Sequence, residues 1–130
     1  MQKNFLIIAS IFGALAVALG ALGAHGLEKM TTDEKILHGF HTAVQYQVYH
    51  SLALLAAAIL YEKFPNQWMK RAGRCFIAGI ILFSGSLYLL TALKMAGNSV
   101  VKFVGTVTPV GGVFFIVGWF CLLAAVMKKK

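Results

Sequence analysis

Apolar positions gather into four long runs, roughly Phe5–Ala24, His41–Tyr61, Gly73–Leu93 and Thr108–Met127. None contains Asp, Glu or Lys, and the one Arg, Arg74, stands at the edge of the third. Each run has about 20 residues, enough for a helix to cross about 30 Å of hydrocarbon at about 1.5 Å per residue. Little chain is left over for a water-soluble unit. The pattern predicts an all-α fold, a four-helix transmembrane bundle, with residues 1–130 forming a single integral membrane domain. The first run follows Lys3 as a signal peptide would, but its apolar stretch exceeds the usual h-region of about 7–15 residues, so it reads as a first transmembrane helix.

Punctuation between the runs sets the expected helix ends. Thr31 and Glu34 have capping-box spacing for a second helix that begins outside the membrane and covers about 30 residues. Pro65-Asn66 is the natural break between helices 2 and 3. Thr108-Pro109 suits an N-cap followed by proline at the first helical position, leaving Lys94–Val107 as an outer loop or short interfacial helix. The competing reading is a proline kink within a longer helix 4.

Charge then fixes the expected orientation. The chain ends and the connection after the second run carry Lys3, Lys63, Lys70, Arg71, Arg74, Lys128, Lys129 and Lys130, against Lys29, Lys35, Lys94 and Lys102 on the other side. That excess in short loops predicts both termini on the cytoplasmic side. Tyr61 and Trp68 then fall at the inner interface, and the Lys128–Lys130 tail serves as a solvated anchor against headgroups. Hydrophobic residues make up 59% of the chain and charged residues 12%, a balance that excludes a soluble domain. The net charge of +8 lacks the basic stripe with interleaved aromatics of a nucleic-acid binder. Cys75 and Cys121 fit neither zinc nor redox spacing and read as small buried hydrophobes.

Small residues predict how the spans meet. Ala9, Gly13, Ala16, Gly20 and Gly23 form a heptad-like seam on helix 1. Gly79 and Ser86 on helix 3, and Gly111, Gly118 and Ala125 on helix 4, repeat the device. In lipid such residues matter because they let backbones approach closely, so a tight left-handed bundle is expected.

Polar chemistry concentrates on helix 2, where His38, His41, Thr42, Gln45, Tyr46, Gln47, Tyr49, His50 and Ser51 fill the outer half while Leu52–Leu60 is wholly apolar. A polar face is costly in lipid and should point into the bundle or a subunit interface. Eleven residues from Tyr61, His50 lies about 16 Å deep, near the midplane. Ser84 reaches the same depth on helix 3, with Ser86 and Tyr88 just above. The expectation is a polar belt joining His50 to Ser84 and Ser86, serving either as cohesive hydrogen bonding or as a ligand site. His25, His38 and His41 should gather near the outer interface, either meeting water or offering nitrogen to a metal or haem iron. No acid lies within a span, and no catalytic triad, phosphate loop or carboxylate pair is present, so no catalytic residue is assigned.

Several motifs together resemble one family. Gly20-Ala21-Leu22-Gly23-Ala24-His25-Gly26-Leu27 closes the first span, followed by Phe40, Thr42-Ala43, Tyr46 and Tyr49-His50-Ser51 on the second. Ala78-Gly79-Ile80 and Leu82-Phe83-Ser84-Gly85-Ser86-Leu87-Tyr88 mark the third, and Thr108-Pro109-Val110-Gly111-Gly112 with Gly118-Trp119 the fourth. Over nearly its whole length the chain resembles domain-of-unknown-function family 423, small membrane proteins similar to transmembrane protein 256 of animals. The resemblance implies a four-helix protein of the bacterial inner (plasma) membrane and implies no substrate.

Three functional readings stand at this point. In the first, a non-enzymatic bundle or oligomer binds a small ligand or lipid, with His50, Tyr46, Ser84 and Ser86 lining the site and His25 and His41 at its outer mouth. In the second, the small-residue seams, including Gly13, Gly20, Gly23, Gly79, Gly111 and Gly118, dock another membrane protein. In the third, the histidines bind haem or a metal, although no metal-ligand set can be named. The partners are the lipid bilayer and, in an oligomer, further copies of the chain. The identity of any cofactor is left open.

Overall fold

The computed structural model describes residues 2–97 and 101–128. Four helices fill it: α1 (Gln2–Met30), α2 (Glu34–Leu60), α3 (Gln67–Met95) and α4 (Val101–Met127). All four are long and apolar enough to cross a membrane, and no strand occurs among the described residues. Large apolar side chains are exposed along their length, including Ile7, Ile11, Val17, Leu52, Ile81, Val113, Ile116 and Phe120. Hydrocarbon chains, rather than water, suit that surface.

Helix ends follow local chemistry, with two departures from expectation. The Thr31–Glu34 capping box does not form, because α1 runs through Met30 and leaves only a short connection. Asp33 caps α2 instead, accepting from the Lys35 amide at 2.9 Å. A short helix, Val101–Gly105, fills part of the expected outer connection, and the main stretch of α4 starts at Val107, one residue before Thr108, with Pro109 in its first turn. Proline has no N–H to offer the carbonyl four residues back, and the helix is interrupted at Thr106, whose hydroxyl donates to Phe103 O at 2.6 Å. Gly97, at φ 68°, ends α3 in the left-handed conformation that glycine favours. Lys129 and Lys130 of the expected basic tail lie outside the described residues.

The break at Pro65-Asn66 stands as read. Asn66 Oδ1 accepts from the Trp68 and Met69 amides, and its Nδ2 donates to Ala125 O at 3.0 Å, tying the start of α3 to the end of α4.

Backbones approach most extensively along α3–α4, and α2 packs against α1 and α3 to a similar extent. Phe5, Ala9, Leu54, Ala58, Ala72 and Phe76 form a closed apolar core near the end where the described chain begins and stops. Toward the other end the interior turns polar, with Gln47, His50, Ser51, Ser84, Ser86 and Thr91 all buried. Two π turns, Gly23–Leu27 in α1 and Ile80–Ser84 in α3, occur within this second half.

Candidate functional site

Gln47 stands where three helices meet. Its Nε2 donates to Phe12 O of α1 at 2.8 Å, and its Oε1 accepts from the Tyr88 hydroxyl of α3 at 2.6 Å. Ser84 donates to Ala43 O at 2.7 Å, fully buried between α3 and α2. Ser86 meets the Thr108 hydroxyl of α4 and donates to Phe83 O at 2.9 Å. Ser86 therefore has no hydrogen left to give Thr108, so the Thr108 hydroxyl donates to Ser86 Oγ. The polar half of the bundle is thus sewn across helices by hydroxyls and an amide, each with a partner.

His50 belongs to a different constellation. The expected belt from His50 to Ser84 and Ser86 is not continuous, because the imidazole turns toward α4. Its Nε2 accepts from Trp119 Nε1 at 3.1 Å. Its Nδ1 lies 2.8 Å from Tyr46 O. A carbonyl oxygen only accepts, so Nδ1 carries hydrogen; an indole nitrogen only donates, so Nε2 presents its lone pair. Both assignments describe one neutral tautomer, which suits a group near the middle of a membrane.

Aromatic rings frame this pair. The Phe115 ring stacks on His50 with centroids 3.6 Å apart and planes within 12°. Tyr46 stacks on Phe83 at 4.7 Å, and Phe76 meets Trp119 edge-on at 5.2 Å. Glycines on α3 and α4 make room for these rings. A Cβ at Gly79 would fall inside van der Waals contact with Phe115, and one at Gly118 would stand 2.8 Å from Phe76.

Beside the pair runs a groove of about 480 Å³, lined by Tyr46, His50, Phe83, Pro109, Gly112, Val113, Phe115, Ile116 and Trp119. Its volume is within the range of small-molecule sites, about 300–1,000 Å³. It opens sideways, toward the space lipid would occupy: Trp119 is 48% exposed, Ile116 58% and Val113 57%. A second groove of about 340 Å³ lies between α1 and α2, around Gly13 and Ser51. Ser10 and Ser51 beside it return their hydroxyls to carbonyls of their own helices. The α2–α4 groove differs in ending on a side-chain hydrogen bond between two helices.

The sequence-predicted residues therefore separate. Tyr46 and His50 line the groove, whereas Ser84 and Ser86 hold helices together elsewhere. His25, His38 and His41 are exposed near the connection between α1 and α2, and His41 Nε2 faces Glu28 Oε1 at 3.5 Å. Among the described residues no three His, Cys, Asp or Glu side chains come together to hold a metal. Trp119 and Phe115 were missed as site residues. Trp119 did carry a signal: it lies eight residues from Met127, about 12 Å deep, where an indole N–H needs a buried acceptor.

Comparison with known proteins gives a consistent picture. A family model described as "Protein of unknown function (DUF423)" matches residues 19–112. The UPF0382 membrane protein YwdK of Bacillus subtilis is 43% identical over 128 residues, covering 98% of each chain. A UPF0382 membrane protein of Haemophilus influenzae is 35% identical, covering 100% of this chain and 98% of its own. The UPF0382 membrane protein C1782.12c of Schizosaccharomyces pombe is 37% identical over 116 residues, covering 89% of this chain and 95% of its own. No solved structure matches the chain.

Proposed function

The chain belongs to the DUF423 family of membrane proteins, and on that premise we propose that it is a non-enzymatic binding protein for a small membrane-dissolved ligand. The ligand enters the α2–α4 groove sideways from the bilayer and meets His50, Tyr46 and Trp119. One observation carries this reading: the groove reaches a hydrogen bond between side chains of two helices, Trp119 and His50. Apolar walls with a few convergent polar groups are the usual make-up of a ligand site. Ser84 and Ser86 support the walls from behind, and His25 and His41 remain at the far end of the bundle. The excess of basic residues beside the chain ends favours a cytoplasmic side for both termini.

Gly112 provides the test. It lines the groove, and a Cβ there would stand 3.8 Å from the Phe83 ring in ordinary contact, so Gly112→Leu directs a bulky side chain into the groove. Native mass spectrometry from membrane particles should find a small organic mass on the unaltered protein and none on Gly112→Leu. A bare unaltered protein, or a mass retained equally by the variant, would contradict the proposal.

A further inference from the structure

We infer that the ligand of this groove carries a hydroxyl on a flat ring, a lipid-soluble phenol, and that the hydroxyl inserts between Trp119 Nε1 and His50 Nε2. This rests on the groove being the binding site, and deepens that reading by naming the ligand's chemistry.

The hydrogen bond at the groove floor sets the selection. Trp119 can only donate, and His50 Nε2 can only accept while Nδ1–H is held by Tyr46 O. A group entering between them must accept from the indole and donate to the imidazole together. A hydroxyl does both through one oxygen, replacing the direct bond with two. A carbonyl or ether oxygen satisfies Trp119 and leaves the His50 lone pair unpartnered in an apolar setting, where an unmade hydrogen bond is costly. An ammonium or carboxylate would bring charge to the midplane, and no Asp, Glu, Lys or Arg lines the groove to balance it.

Trp119 is placed to admit such a group. Its ring is 48% exposed on the lipid side, so it can swing outward without leaving an apolar environment, whereas His50 is only 5% exposed and is stacked on Phe115. The acceptor stays fixed and the donor moves. The ring preference follows from the walls: Tyr46 and Phe83 form a stacked pair beside the opening, a surface to which a flat ring adds by offset stacking. Val113 and Ile116 continue the groove as an apolar track for an alkyl tail.

The test uses the full chain in lipid nanodiscs. The protein has two tryptophans, so Trp68→Phe leaves Trp119 as the sole indole reporter. Para-octylphenol and its methyl ether, para-octylanisole, are titrated at matched mole fraction in the membrane. Emission is excited at the red edge of indole absorption, where the ligands do not absorb. The expected result is a saturable change in Trp119 emission with the phenol, half-complete at a mole fraction about tenfold lower than with the ether, the loss of one hydrogen bond. In His50→Phe, which keeps a ring for stacking, the two ligands should become equal. Equal half-saturation in protein with His50 intact would overturn the hydroxyl assignment while leaving the groove as a binding site. No saturable change with either compound would overturn the assignment too, and the fate of the groove would then rest on the mass retained with and without Gly112→Leu.

Discussion

The seam between α3 and α4 and the seam between α1 and α2 carry the same kind of residue and put it to opposite use. On the seam, glycine is where another helix presses in. A Cβ on Gly111 would run into the Phe83 backbone, and one on Gly79 into the Phe115 ring. On α1, a Cβ on Gly13 would meet nothing within 4 Å, and that on Gly20 would only touch Val44 at 3.4 Å. Farther along, Gly23 is close-packed again, because Phe40 projects from α2 to within 2.7 Å of its missing Cβ. A small-residue repeat thus permits close approach; a large side chain or a backbone on the facing helix decides whether it happens.

That contrast predicts a graded series of substitutions, each measured as unfolding of the purified protein in mixed micelles followed by circular dichroism. The largest effect is expected at Gly111→Ala, about 3 kcal/mol, because the new methyl meets backbone and the two helices must part. Gly79→Ala should lose about 2 kcal/mol, since a ring can turn where a backbone cannot. It should also shift Trp119 emission, because Phe115 carries the stacked His50 with it. A Gly79 variant without that optical change would separate seam packing from the groove. Tyr88→Phe removes the donor to Gln47 and should lose about 1 kcal/mol, with emission unchanged. Gly13→Ala should gain about 0.5 kcal/mol, as alanine is the better helix former and nothing stands in its way. A loss there would show that the groove between α1 and α2 is filled in the assembled protein.

Much of the fold was legible because lipid imposes lengths and breaks. Four apolar runs gave four helices, and Pro65-Asn66 stopped the second from joining the third. The start at Thr108 was placed one residue late, because a Thr-Pro pair looks alike at a helix start and just inside one. Helix rotation was the harder quantity. The repeat Gly111, Gly118 and Ala125 marked the face of helix 4 that is buried, but the helix is apolar on every side, so its hydropathy does not show which neighbour Trp119 turns toward. The partner of His50 was misjudged for a related reason. Depth follows from counting residues, whereas the choice between Ser84 and Trp119 depends on that rotation.

The account turns on which ring nitrogen of His50 carries its proton. Solid-state nitrogen-15 spectroscopy of protein labelled at histidine, in lipid, reads this directly, with His50→Phe identifying the signal. The geometry predicts a protonated Nδ1 and a bare Nε2 that receives the Trp119 hydrogen bond. A proton on Nε2 would contradict the account, because the groove would then end on a donor and would have no acceptor for a ligand hydroxyl.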